Sequence, residues 1–196
     1  MATDNWLGAT RRRPSADVLT VASPICYATA MTPYFAYGAN MSVAAMRHRC
    51  PGAQAVGPAV LQGHRFFIGR EGCGSVEPRG GGTVHGVLWR LTLRDLAVLH
   101  AYELLHKGMY DLRRLPVLHG GRRVLALIYL LRRRVPGRPH PGYIESVAAG
   151  AREWELPEGY IRAVERWSPS GFTGAARVDV GESARDMTRD LAREIV

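Results

Sequence analysis

Tyr34-Phe35-Ala36-Tyr37-Gly38-Ala39-Asn40-Met41-Ser42 is the stretch on which the reading of this chain turns. Tyr34 to Tyr37 reads as a short buried strand, Gly38 breaks it, and Ser42 is placed to cap a short helix to about Arg49, before Cys50-Pro51. The order is strand, tight loop, helix. Gly38 lets the backbone turn sharply, and free N–H groups in such a loop and at the helix start can hold a carboxylate or an oxyanion. The same spacing also describes an ordinary strand-to-helix connection, so the loop alone names no function.

Beyond this stretch, Ala59-Val60-Leu61 and His64 to Ile68 read as strands, Gly72 to Gly82 as a glycine-rich mobile loop, and Thr83 to Leu91 as another strand. Thr92-Leu93-Arg94-Asp95 has the form of a capping box opening a helix to about Leu104. Met109 to Val117 and Arg122 to Leu131 read as a hairpin joined through His119-Gly120-Gly121. Three prolines make Arg134 to Gly142 a loop. Two helices follow, Tyr143 to about Trp154 and Pro157 to about Trp167. This rapid alternation predicts a compact α+β fold.

A chain of 196 residues with 46% hydrophobic residues supports one substantial core, hence one domain, placed at residues 31–170. Residues 1–30 have no clear period and end just before a second methionine, Met31. They read as a disordered leader or as an extension upstream of the true start. Arg11-Arg12-Arg13 before the mildly apolar stretch ending in Ala28-Thr29-Ala30 also has the outline of a signal peptide, although Pro24 interrupts it. Residues 171–196 read as a tail, with a surface helix or frayed segment from Ser183 to Val196. No apolar run approaches the roughly 20 residues of a membrane span.

Three cysteines, Cys26, Cys50 and Cys73, are too few for a disulfide framework, and no ligand spacing suggests zinc. A cytoplasmic location is expected, with no metal and no cofactor. The formal charge of +9 attracts anions of any kind. Basic clusters supply only the sequence-independent part of nucleic-acid binding, and no reading motif accompanies them, so no specific nucleic acid is expected as a partner.

One residue breaks the helical pattern after Thr92. On a wheel, Leu93, Leu96, Leu99 and Leu104 define an apolar arc, and Glu103 falls within it. Burial and the negative end of the helix dipole would both raise its pKa toward neutrality, as a general base at pH 7 requires. The competing account is an ion pair with an arginine, or a side chain that snorkels to water at the helix end. His100 lies on the same arc and reads as a core histidine.

Three segments in order, Tyr34 to Met41, Val84-His85-Gly86-Val87-Leu88-Trp89, and Glu103 through Gly108-Met109-Tyr110, resemble the gamma-glutamylcyclotransferase family. The resemblance extends to Pro141-Gly142-Tyr143, Gly150-Ala151-Arg152-Glu153 and Leu156-Pro157-Glu158-Gly159-Tyr160, so it spans roughly Met31 to Trp167. It implies a small mixed-sheet, barrel-like fold flanked by helices, with a pocket at one barrel mouth, and a chain that pairs as a homodimer. The substrate implied is a small gamma-glutamyl compound, closed on itself to 5-oxoproline as its amine is released. By position, Glu103 would be the catalytic acid/base, the loop Tyr37, Gly38, Ala39, Asn40 and Met41 would hold the gamma-glutamyl group, and Tyr110 and Tyr143 would complete the pocket. Two departures stand out. Ala39 replaces the serine usual in that loop, and Leu104 replaces the glycine that often follows the glutamate. A non-catalytic binding module for an acidic ligand, and a cyclotransferase dedicated to one biosynthetic intermediate, are the alternatives.

Overall fold

The computed structural model describes residues 31–103 and 108–168. The expectations for 1–30, for Leu104 and for the tail after 168 lie outside these residues. The described chain is α+β: a closed barrel in the order β1-β3-β2-β4-β5, with four helices packed beside it. Its strands are β1 (Thr32–Ala36), β2 (Gln54–Ile68), β3 (Gly74–Leu91), β4 (Tyr110–His119) and β5 (Arg122–Leu131). The sheet is mixed because β1 runs antiparallel to β3 but parallel to β5, meeting it at Tyr34↔Leu127. Helices α1 (Val43–Arg49), α2 (Leu93–Tyr102), α3 (Tyr143–Glu153) and α4 (Glu158–Glu165) complete the described fold. None of them is long and apolar enough to cross a membrane.

Alternation along β1 divides the core in two, because successive side chains of a strand point to opposite faces. Phe35 and Tyr37 enter the barrel interior with Leu61, Val84, Val117 and Ile128. Tyr34 and Ala36 face outward, into a larger cluster with Met41, Met46, Leu99, Ile144 and Val147 from the helices. The end of β1 therefore lies where the barrel interior, the helix layer and the following loop meet.

Two expectations are corrected. Gly72 to Gly82 is not a free loop. Gly69 to Cys73 makes the turn, and the rest belongs to β3, paired with β2 from Ile68↔Gly74 to His64↔Pro78 and again from Gln62↔Thr83. The glycines of Arg79–Gly82 lie in the irregularity opposite Gly63, which absorbs the extra residues without ending the strand. Likewise, Ala59-Val60-Leu61 and His64 to Ile68 are one strand, not two.

The apolar arc of α2 is also not as the wheel drew it. Leu93 is 74% exposed, because it is the first helical residue and overhangs the body, while Leu99 is fully buried and Asp95 nearly so. Asp95 is tolerated inside because its carboxylate is satisfied. It closes the capping box with Thr92 and accepts the Gly52 N–H at 3.2 Å. That bond, with the Cys50 thiol against the Asp95 carbonyl, ties the end of α1 to the start of α2.

Candidate active site

Ser42 caps α1 as its position predicts, its Oγ accepting the Ala45 N–H, and Ala39–Met41 form a 3-10 turn between β1 and that cap. The turn closes with Met41 N–H donating to the Gly38 carbonyl at 2.9 Å. As first residues of the turn, Ala39 and Asn40 have N–H groups with no acceptor inside it. The turn is seated from behind by α3: the Trp154 indole N–H donates to the Met41 carbonyl at 2.8 Å, and Gly150 leaves room for Met41.

Gly38 owes its place to a neighbour. Its φ is −122°, outside the left-handed region, so the turn does not demand glycine. A Cβ there would stand 2.7 Å from the Tyr143 hydroxyl, however, and that hydroxyl accepts the Gly74 N–H at 2.9 Å.

Across the barrel mouth, α2 ends with Glu103 as its C-cap residue. The carboxylate turns into a cavity of about 70 Å³, lined by the Gly38–Asn40 loop, Cys73, Gly74 and the rings of Tyr34, Tyr37, Tyr102, Tyr110, Tyr129 and Tyr143. This is several times the ~10–15 Å³ that a single water needs. Part of Glu103 stays accessible, yet its carboxyl is surrounded by protein, and the loss of hydration pushes its pKa up to about 7. The Arg49 guanidinium, and a hydrogen bond from Asn40 Nδ2 to Glu103 Oε1 at 3.0 Å, act in the opposite direction. The competing account, a salt bridge with an arginine, is not seen for Glu103 among the described residues; Arg49 acts on it by its charge and through the Asn40 amide.

The phenols around the cavity are held neutral, because burial raises the pKa of Tyr34, Tyr37, Tyr110 and Tyr143, with the Glu103 charge adding to it. They are therefore hydroxyl donors and acceptors across the physiological range. The Tyr37 hydroxyl donates to the Tyr129 carbonyl. Burial lifts the Cys73 thiol to about 11, with Glu103 contributing, so it sits in the cavity as a thiol and not as a nucleophilic thiolate.

Of the residues singled out in the sequence, Tyr37, Gly38, Ala39, Asn40, Glu103, Tyr110 and Tyr143 meet at this cavity. Met41 does not; it is fully buried in the helix-side core. His100 packs edge-on against Tyr129, with burial lowering its pKa. Sequence reasoning missed Tyr34, Tyr102, Tyr129, Cys73 and above all Arg49, which is only 8% exposed. A signal existed. Met46 and Arg49 stand three apart on the buried face of α1, whereas Arg47 and His48, which make the helix look like a solvated basic face, point outward.

Residues 83–164 match a model of the AIG2-like family. A gamma-glutamylcyclotransferase of Homo sapiens is 26% identical over 158 residues, covering 75% of this chain and 84% of that protein. The chain is thus similar to the AIG2-like family over residues 83–164 and to gamma-glutamylcyclotransferases over about three quarters of its length. The Mus musculus gamma-glutamylcyclotransferase is similar at 26% identity over 152 residues, covering 72% of this chain and 81% of that one. A solved structure described as a gamma-glutamyl cyclotransferase superimposes with a TM-score of 0.69, at 24% identity, over 80% of this chain and 99% of that one. YkqA of Bacillus subtilis superimposes with a TM-score of 0.62, at 26% identity, over 74% of this chain and 56% of that one. The barrel with its flanking helices is thus the fold seen in that gamma-glutamyl cyclotransferase structure.

Proposed function

We propose that the chain is a gamma-glutamylcyclotransferase acting on a small gamma-glutamyl compound, with Glu103 as its general acid/base. One observation carries this reading: a carboxyl group whose pKa is brought to about 7 stands inside a small cavity, opposite a loop with free N–H donors.

In the reaction, the α-amine of the substrate attacks its own gamma-carbonyl. The new bond closes the five-membered ring of 5-oxoproline, and the bond from the gamma-carbon to the departing nitrogen breaks. An ammonium group becoming a lactam N–H loses two protons, and an amide N–H leaving as an ammonium gains two. Protons therefore balance within one turnover if a single group carries them from the attacking nitrogen to the departing one. Glu103 is suited to this because both its forms are populated near neutrality, and it ends each cycle as it began.

Nucleophile and electrophile already share one molecule, so the protein's task is to hold the productive rotamer and exclude water. The Ala39 and Asn40 N–H groups are suited to the substrate α-carboxylate or the developing oxyanion, an effect often worth about 2.7–4 kcal/mol per donor. Replacing the usual loop serine with Ala39 removes a hydroxyl but leaves these backbone donors. Ring closure calls for no cofactor, and Cys73, held as a thiol, is not needed as a nucleophile. The free thiols of Cys50 and Cys73 favour a reducing compartment, and we place the enzyme in the cytoplasm.

The test is turnover by purified protein of a panel of gamma-glutamyl amino acids, peptides and amines, with 5-oxoproline scored by mass spectrometry. At least one compound should release 5-oxoproline in step with its free amine. A protein that binds panel members and converts none of them is a binding module instead. Conversion of a single amine conjugate alone would mark a cyclotransferase dedicated to one intermediate.

A further inference from the structure

Arg49 is a buried cation with no carboxylate of its own. Among the described residues it forms no ion pair. Its NH1 donates to Asn40 Oδ1 at 2.5 Å, and its guanidinium lies 4.2 Å over the ring of Tyr102, the residue before Glu103. A desolvated charge is expensive unless something compensates it. Here the compensation comes from the amide, from the aromatic face, and from the last turn of α1, where the helix dipole favours a cation.

The consequence concerns Asn40. An amide has one acceptor end and one donor end, and a guanidinium only donates. Arg49 therefore forces Oδ1 toward itself and Nδ2 toward the cavity, where it donates to Glu103 Oε1 and to the Tyr34 hydroxyl, both at 3.0 Å. One side chain thus clamps the 3-10 turn to the end of α2. The groups facing Glu103 from the surrounding elements are Tyr34 of β1, Tyr37 just after it, Cys73, Tyr110 of β4, Tyr129 of β5 and Tyr143 of α3, all uncharged near pH 7. Arg49 is the cation acting on that carboxyl.

We propose that Arg49 is a positioning residue for Glu103: it sets the orientation of the Asn40 amide and supplies the permanent positive charge that lets the carboxylate form inside the cavity. The inference rests on the acid/base reading of Glu103 given above, and it adds a residue that never touches substrate.

Two substitutions separate charge from shape. Arg49→Met removes both; Arg49→Lys keeps the charge but loses the planar fork. The readouts are the titration midpoint of the Glu103 carboxyl, followed by carbon-13 NMR and assigned with Glu103→Gln, and the pH profile of kcat/KM for 5-oxoproline formation. For Arg49→Met, both the midpoint and the acid limb of the profile should move up by about one unit or more. Its activity should fall by more than about tenfold near pH 7 and rise toward about pH 9 only to the roughly tenfold deficit that the freed amide leaves. Arg49→Lys should keep the midpoint within about half a unit of wild type, while kcat falls about tenfold at every pH because Asn40 is no longer held.

An unmoved midpoint in folded Arg49→Met overturns the charge role, and wild-type kcat in Arg49→Lys overturns the positioning role. If Arg49→Met does not fold, Arg49→Lys decides, and a midpoint displaced by more than a unit there counts against the proposal. Should wild type convert no gamma-glutamyl compound, the cyclotransferase reading fails, while the NMR midpoints still decide for or against Arg49.

Discussion

Gly38 and Tyr143 compete for one volume: a Cβ on Gly38 would lie 2.7 Å from the Tyr143 hydroxyl, which is engaged by the Gly74 N–H. This contact joins the Gly38–Asn40 loop, the first turn of α3 and the start of β3 at one wall of the cavity. Gly38→Ala should displace the phenol at a cost of about 1–3 kcal/mol. Tyr143→Phe should cost about 1–2 kcal/mol by leaving the Gly74 N–H unpaired. In the double variant the alanine no longer meets an oxygen, so the two losses should sum to less than their separate values, by at least about 0.5 kcal/mol. Denaturant unfolding of the three variants measures this, and simple additivity would show that the contact is not shared.

Glu103→Gln keeps size and a hydrogen-bonding end but removes the proton carrier. Formation of 5-oxoproline should fall about 10²–10⁴-fold in kcat with little change in KM. Wild-type turnover by this variant would make Glu103 a helix-end residue and end the proposed mechanism.

Stability should also depend on pH through Glu103. Its pKa is raised from 4.5 to about 7 on folding, so between those values the folded protein holds a proton that the unfolded chain has released. The contribution is fully present below about pH 4.5 and is lost as pH rises through about 7. Its size is on the order of 3 kcal/mol. Glu103→Gln should therefore be at least as stable as wild type near pH 8, and should lack this part of the pH dependence. Parallel melting curves of the two proteins across that window would refute the assignment.

A chain beginning at Met31 should be soluble, melt cooperatively and retain activity, because β1 starts at Thr32 and already supplies buried residues to both clusters of the core. Aggregation, or a melting transition broader than that of the full chain, would place part of 1–30 in the folded body.

Much of this protein was decided by local sequence. The strand to Ala36, the Ser42 cap, the Thr92 capping box, the hairpin at Gly120-Gly121 and the two late helices each depend on a few adjacent residues, and each forms where those residues require. Glu103 was likewise legible as a carboxylate in an apolar register. What local pattern could not decide was the company each residue keeps. Gly72 to Gly82 looked like a loop because glycine disfavours strands, but pairing with β2 along the ribbon outweighs that preference. Leu93 looked buried because a wheel has no ends, and it is exposed because a helix does. The residues adjacent to Arg49 do not reveal its part; folding brings Asn40 and Tyr102, from two other elements, to its guanidinium. Short-range order follows from neighbours in the chain. The proton affinity of Glu103 depends on groups brought from α1, the 3-10 turn and all the strand ends around the cavity, and only closure of the barrel fixes those distances.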